Sequence, residues 1–296
     1  MTTMTQIENS RVDAILAQVL PPIEQRLDRI CPTWLVRGLV EFLVFGVKQA
    51  WACLFGGLLL LGIIATSYLY PADAPLKRYD FLVVYAIAIQ ALFLITRLER
   101  PSEALVIVIF HVVGTAMELF KTDVGSWTYP EENLLRIGGV PLFTGFMYAA
   151  VGSYFARVAR VFEFRWSHYP NVTLTLVLAI TIYINFLSHH FVWDARYVLF
   201  GLTAVLFLRT NVHYRVWRWR HRMPLLLGFF LVSVFIWIAE NIGTFTQTWL
   251  YPGQENGWQM VSLSKLGSWY LLMIVSWVLV TLVHRPQAVK PDSDYS

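Results

Sequence analysis

Charge is scarce in this sequence. Of its 296 residues 14% are charged, against roughly a quarter in an ordinary soluble domain, and 57% are hydrophobic. That balance excludes a water-soluble globule. Cysteine is nearly absent: Cys31 precedes the first long apolar run and Cys53 lies inside it, without motif spacing, which excludes a disulfide-stapled fold and gives no redox motif. Met1 to Leu35 lacks the basic, apolar, small-residue succession of a cleaved signal peptide, so the first span is expected to act as its own insertion signal. A phosphate loop, a Gly-x-Ser-x-Gly elbow and a dinucleotide fingerprint are missing, so no cofactor is expected. The small excess of 23 Lys and Arg over 19 Asp and Glu is accounted for by topology, and no nucleic-acid partner is expected.

What is present is a series of long apolar runs. They predict an all-α polytopic membrane protein of eight transmembrane helices, over about 39–70, 81–98, 104–122, 141–160, 172–191, 195–210, 224–245 and 260–283, the sixth being short. Residues 1–38 read as a cytoplasmic or interfacial segment, and Ile7 to Ile30 as a helix either lying at the interface or loosely held in the cytoplasm. With the N-terminus inside, sixteen of the 23 basic residues fall on the cytoplasmic side, among them Arg11 and Lys290; Lys77, Arg78, Lys121, Arg136 and Arg196 lie in or beside outer loops, and Lys48 and Lys265 within helices. That asymmetry predicts cytoplasmic termini in a bacterial inner membrane, with the bilayer as the first partner. The Arg-Trp run Arg215 to Arg222 reads as an interface anchor.

The chain also matches itself. At an offset of 122 residues, seven identities fall in 31 ungapped positions, where composition gives about two: Glu118 with Glu240, Thr122 with Thr244, Trp127 with Trp249, Tyr129 with Tyr251, Pro130 with Pro252, Gly145 with Gly267 and Tyr148 with Tyr270. An offset of four spans preserves orientation, so residues 39–160 and 161–284 are expected to be two parallel four-helix repeats, with 285–296 a cytoplasmic tail. Each repeat carries a glutamate near the outer end of a helix, an outer Trp-x-Tyr-Pro loop, and a returning helix with Gly-x-x-Tyr.

A carboxylate within a span costs about 2.5 kcal/mol or more on insertion scales, so it is normally paired, protonated or facing a cavity. His111, Thr115, Glu118 and Thr122 share one helix face; Glu240, Gly243 and Thr244 form the matching stripe, with Asn241 beside it. Asn185, His189 and His190 follow on the fifth helix, Asp194 just beyond it, and Lys265 near the outer end of the eighth. One reading is mutual satisfaction, Glu240 with Lys265, Glu118 with His111 or Lys121, and Asn185 with His189. The other is chemistry, because low dielectric favours the neutral form of a carboxyl and leaves it able to act as an acid. Glu118 and Glu240 would then be proton donor and acceptor, with His111, His189 and Asn185 positioning them. Trp127, Tyr129, Trp249, Tyr251, Asn241, Lys265 and His190 would bind an apolar small molecule or lipid. A proton-coupled or cation transporter would use the same carboxylates, and a sensory or structural module would use none. Adjacent His189 and His190 point apart on a helix, so no metal is expected.

The stretches PLFTGFMYAAVGSY (141–154), NFLSHHF (185–191), MPLLLGFF (223–230), AENIGTFTQTWLYP (239–252) and SLSKLGSWYLLM (262–273) resemble the YoaT-like family of bacterial multi-pass membrane proteins, a family of unknown function. The resemblance implies membrane location and no activity. Glu118, Trp127, Tyr129, Gly138, Gly139 and Pro141 are locally similar to membrane carotenoid hydratases and heterodimeric-type lycopene cyclases, which implies acid–base chemistry on an isoprenoid. The paired glutamates that follow the proline in the cyclases are replaced here by Leu142, Phe143 and Thr144.

Overall fold

The computed structural model describes residues 4–29 and 32–289, with backbone alone for 4–11. Cys31, Lys290 and the side chain of Arg11 lie outside the described residues. Among them are ten helices, α1 (Met4–Leu27), α2 (Thr33–Ala52), α3 (Leu54–Leu69), α4 (Arg78–Ile95), α5 (Pro101–Asp123), α6 (Phe143–Val161), α7 (Val172–Ser188), α8 (Arg196–Phe207), α9 (Leu225–Phe245) and α10 (Leu263–Val283). Five short strands join them: β1 (Arg136–Ile137), β2 (Val140–Pro141), β3 (Arg165–Ser167), β4 (Asn211–Arg215) and β5 (Arg220–Pro224). Four helices, α4, α5, α9 and α10, are long and apolar enough to cross a membrane, and α2 with α3 makes a fifth candidate if that bent pair counts as one span. With 17 and 12 residues, α7 and α8 are apolar but short, about 26 and 18 Å long against a hydrocarbon core of about 30 Å.

The first expected span is broken at Cys53, where α2 and α3 meet at 71°. Neither glycine nor proline marks the break. The Arg157 guanidinium on α6 takes the carbonyl of Trp51 (3.2 Å), and Gly56 brings α3 against Ala150 of α6. Arg157 is completely buried and paired with Glu99 (3.0 Å), which also accepts from Ser153. Arg160 pairs with Glu103 one turn along (3.2 Å). These buried pairs tie the α4–α5 corner to α6.

The basic run Arg215 to Arg222 folds as the end of β4, the turn and the start of β5 in the β4–β5 hairpin. Its tip is held by Glu41 of α2, whose carboxylate accepts the backbone N–H groups of Trp217 (3.3 Å), Arg218 (3.3 Å) and Trp219 (2.9 Å). Arg218 also pairs with Glu24 of α1. One face of α1, with Val12, Leu16 and Leu20 at four-residue spacing, packs into the same cluster as Val36, Val40 and Phe162. A second hairpin, β1–β2, carries the chain into α6, and the main core lies between α5, α6, α7 and α10.

Candidate functional site

At the end opposite the β4–β5 hairpin, α5 and α9 close in the same way. Val124, Gly125 and Ser126 donate to the carbonyls of Phe120 (3.1 Å), Thr122 (3.1 Å) and Lys121 (2.9 Å); 122 residues later Thr246, Gln247 and Thr248 donate to Ile242 (2.9 Å), Thr244 (3.0 Å) and Gly243 (2.9 Å). Gly125 and Gln247 both take positive φ, 71° and 53°, so the chain reverses identically at each. The reversed loops then meet: Thr128 and Leu250 exchange both backbone hydrogen bonds, each 2.9 Å.

This reversal returns Trp127 and Tyr129 to Glu118 and Tyr251 to Glu240, while Trp249 packs its ring against Gly243. Glu118, 3% exposed, accepts from Trp127 Nε1 (2.8 Å) and Tyr129 Oη (2.7 Å) on one oxygen and from Tyr148 Oη of α6 (2.6 Å) on the other. Glu240 accepts from Tyr251 Oη and from Trp269 Nε1 of α10 (2.5 Å). Burial, then the charge of Glu118, hold the Tyr129 phenol well above its ordinary range; burial and Glu240 do the same for Tyr251, so both stay hydroxyl donors. The two nests interlock through rings, Trp127 edge-on to Tyr251 (6.1 Å between centroids) and Tyr148 beside Trp269 (6.4 Å).

Both glutamates line one cavity of about 1210 Å³ enclosed by α2, α3, α5, α6, α9 and α10. Below the glutamates its wall is largely apolar, including Phe155, Phe229, Leu272 and Trp277. Phe42 of α2 and Leu231 and Phe235 of α9 line it while remaining 71%, 45% and 72% exposed on the flank. The cavity therefore opens sideways through apolar surface between α2 and α9.

Two comparisons place the chain among known sequences. Residues 41–277 match the family described as "Protein of unknown function (DUF817)". The chain belongs to the DUF817 family. It is 41% identical over 256 residues, 86% of this chain and 96% of the relative, to the "Uncharacterized protein YoaT" of Bacillus subtilis (strain 168). The YoaT-like resemblance is thus established; the similarity to carotenoid hydratases and cyclases gains no support from these matches. No solved structure matches the chain.

In this DUF817 chain Trp127, Tyr129, Trp249, Tyr251, Lys265, His189 and His190 join the glutamates around the cavity. Three expected residues do not. His111 packs against Gly145 and the ring of Phe146 (4.7 Å); Asn185 spans the α7–α8 loop, donating to Asp194 (3.1 Å) and accepting from the Ala195 backbone (2.9 Å); Asn241 donates to the Trp237 carbonyl (2.8 Å) and accepts from Val261 N (2.9 Å). None of the three hydrogen-bonds a glutamate among the described residues, so positioning rests on the Trp and Tyr donors. His189 likewise turns Nδ1 to its own helix carbonyls, 3.2 Å from Asn185 and 3.0 Å from Phe186. Because α7 ends at Ser188, the rings of His189 and His190 do not diverge but lie 4.2 Å apart, tilted by 32°. Among the described residues no three His, Cys, Asp or Glu side chains gather as a metal site.

Of the expected mutual pairs, Asn185 and His189 meet only through the Asn185 backbone carbonyl, and among the described residues neither glutamate forms a hydrogen bond or ion pair with His111, Lys121 or Lys265. Lys265 lies over the rings of Tyr251 (4.1 Å) and Trp127 (5.5 Å), and Lys121 meets His190 Nε2 (2.9 Å) and the face of Phe186 (4.2 Å). Burial, then the Lys121 charge, lower the His190 pKa, so the imidazole is neutral and its Nε2 accepts. Tyr148 and Trp269 are the glutamate partners that sequence reasoning left unassigned. The repeated Gly-x-x-Tyr pointed toward Tyr148; Trp269 aligns with Met147 and carried no signal.

Proposed function

We propose that this chain is an enzyme of the bacterial inner membrane, acting by acid–base chemistry on an isoprenoid or other lipid that enters sideways from the bilayer. The carrying observation is the shared cavity: two buried glutamates at one end and exposed apolar residues along its flank. Proton transfer runs between Glu118 and Glu240 through the Tyr hydroxyls that bond them, to and from an alkene or carbonyl of the substrate. The faces of Trp127 and Trp269 stabilise positive charge developing on it. This is hydratase- or cyclase-like chemistry.

The architecture we propose for it is eight membrane helices as two parallel four-helix repeats with cytoplasmic termini. The recurring turn hydrogen bonds, the Thr128–Leu250 bridge between equivalent positions, and helix ends at Asp123 and Phe245 and at Val161 and Val283, all 122 residues apart, support it. A two-fold axis near the membrane normal would pass through that bridge. Lipid extracts of cells with and without the gene, and with Glu118→Gln or Glu240→Gln, test the function by mass spectrometry. A lipid species that depends on both carboxylates supports it; identical profiles across all strains refute it.

A further inference from the structure

The mechanism uses the carboxylates and leaves two ammonium groups beside them, buried Lys121 and half-buried Lys265, without an ion-pair partner among the described residues. Lys121 is 2% exposed, and its polar contact is the neutral His190 (2.9 Å). Lys265 faces the same space from α10, held over Tyr251 (4.1 Å). Neither forms an ion pair with a carboxylate among the described residues, although Glu118 and Glu240 border the same cavity. Those glutamates are already occupied by Trp and Tyr donors. Ser126 and Ser264 add hydroxyls to the rim, and Arg196, paired with Asp194 (3.3 Å), adds a third cation. A buried ammonium without an anion is costly, and two converging on an empty volume form a receptor for one.

We infer that Lys121 and Lys265 bind the anionic head group, a carboxylate or a phosphate monoester, of a single-chain amphiphile whose tail fills the apolar cavity below. The inference rests on the lipid reading above and names its substrate class. The head would sit between the two ammonium groups with the serine hydroxyls completing its shell. The chain would run past Tyr148 and Trp269 toward the opening between α2 and α9. The reacting bond then lies within the first few carbons, next to the glutamates.

The test is direct binding to the purified full-length protein in neutral detergent, read by native mass spectrometry. Two acids, oleate and farnesyl phosphate, are compared with their alcohols, oleyl alcohol and farnesol. Wild type is expected to hold at least one anion tenfold or more tighter than its alcohol, and which anion wins identifies the head group. Lys121→Met with Lys265→Met should bring the acid down to the affinity of its alcohol in the same variant, and Lys121→Arg should keep the preference. If the double variant does not purify as a monodisperse species, the single Met variants are used, each expected to weaken anion binding severalfold. Equal binding of acid and alcohol by wild type, or a preference that survives the loss of both lysines, overturns the inference and leaves the lipid reading standing. Failure to bind any of the four overturns both.

Discussion

Replacing Glu118 separates its structural role from its chemical one. The Glu118→Gln amide can keep every contact: its carbonyl at the position that now takes Trp127 Nε1 and Tyr129 Oη, its NH2 donating to Tyr148 Oη, which can accept. The expected stability change is therefore within about 1 kcal/mol. Glu118→Leu leaves three buried donors unsatisfied at roughly 1–3 kcal/mol each, which with partial relaxation is on the order of 3–6 kcal/mol. At roughly 2–4 °C per kcal/mol for a domain of a few hundred residues, that is a fall in melting temperature on the order of 10 °C. Thermal unfolding in detergent, followed by loss of the monodisperse chromatographic peak, compares the two variants. Equal melting of the Leu and Gln variants would refute the donor arrangement around this carboxylate. A Gln variant that melts like wild type but lacks the product lipid would assign the carboxyl to proton transfer.

Gly243→Ala places a methyl group 1.9 Å from the Trp249 ring, so it should cost about 1–3 kcal/mol of overpacking, whereas Gly46→Ala, with nothing within 4 Å, should not destabilise; the same melting assay reads both. Glu41→Ala removes the acceptor of three hairpin N–H groups, and hydrogen exchange at Trp217, Arg218 and Trp219 should accelerate at least tenfold while exchange in α10 is unchanged. His213 of β4 is held below the ordinary histidine value of 6.5 by burial and then by the Arg222 charge, with Ser167 Oγ 3.1 Å from its Nε2. The unfolded chain therefore takes up the proton first: the contribution of His213 is full above pH 6.5 and is lost as pH falls toward its lowered value. Melting temperature across pH 5 to 8 should show that loss in wild type and a flatter profile in His213→Asn.

Much of the architecture is legible in local pattern. Apolar runs announce the helices, and the 122-residue self-match singles out Glu118, Glu240 and the loop aromatics before any contact is known. What eludes the sequence is made by distant partners. The break at Cys53 is fixed by Arg157, whose guanidinium lies 106 positions away from the Trp51 carbonyl it captures. The hairpin turn within the Arg-Trp run is hidden from local pattern because its ordering group, Glu41, is some 176 residues earlier. Helix-face reasoning put His111 with Glu118 correctly on one helix; the ring's destination depended on Gly145 across the α5–α6 interface, where a Cβ would stand 2.3 Å from His111 Nδ1. His189 and His190 were misplaced by assuming that α7 continued past Ser188.

In the proposed enzyme both carboxylates face one chamber reached from the lipid. A photoactivatable diazirine fatty-acid probe, added to membranes containing the protein and mapped by peptide mass spectrometry, tests this most directly. Crosslinks should appear at Phe235 by the opening and at Tyr148 and Trp269 beside the glutamates, and be lost on competition with unlabelled probe. Crosslinks confined to outward-facing residues such as Ile95 and Val205, each 79% exposed, would contradict it.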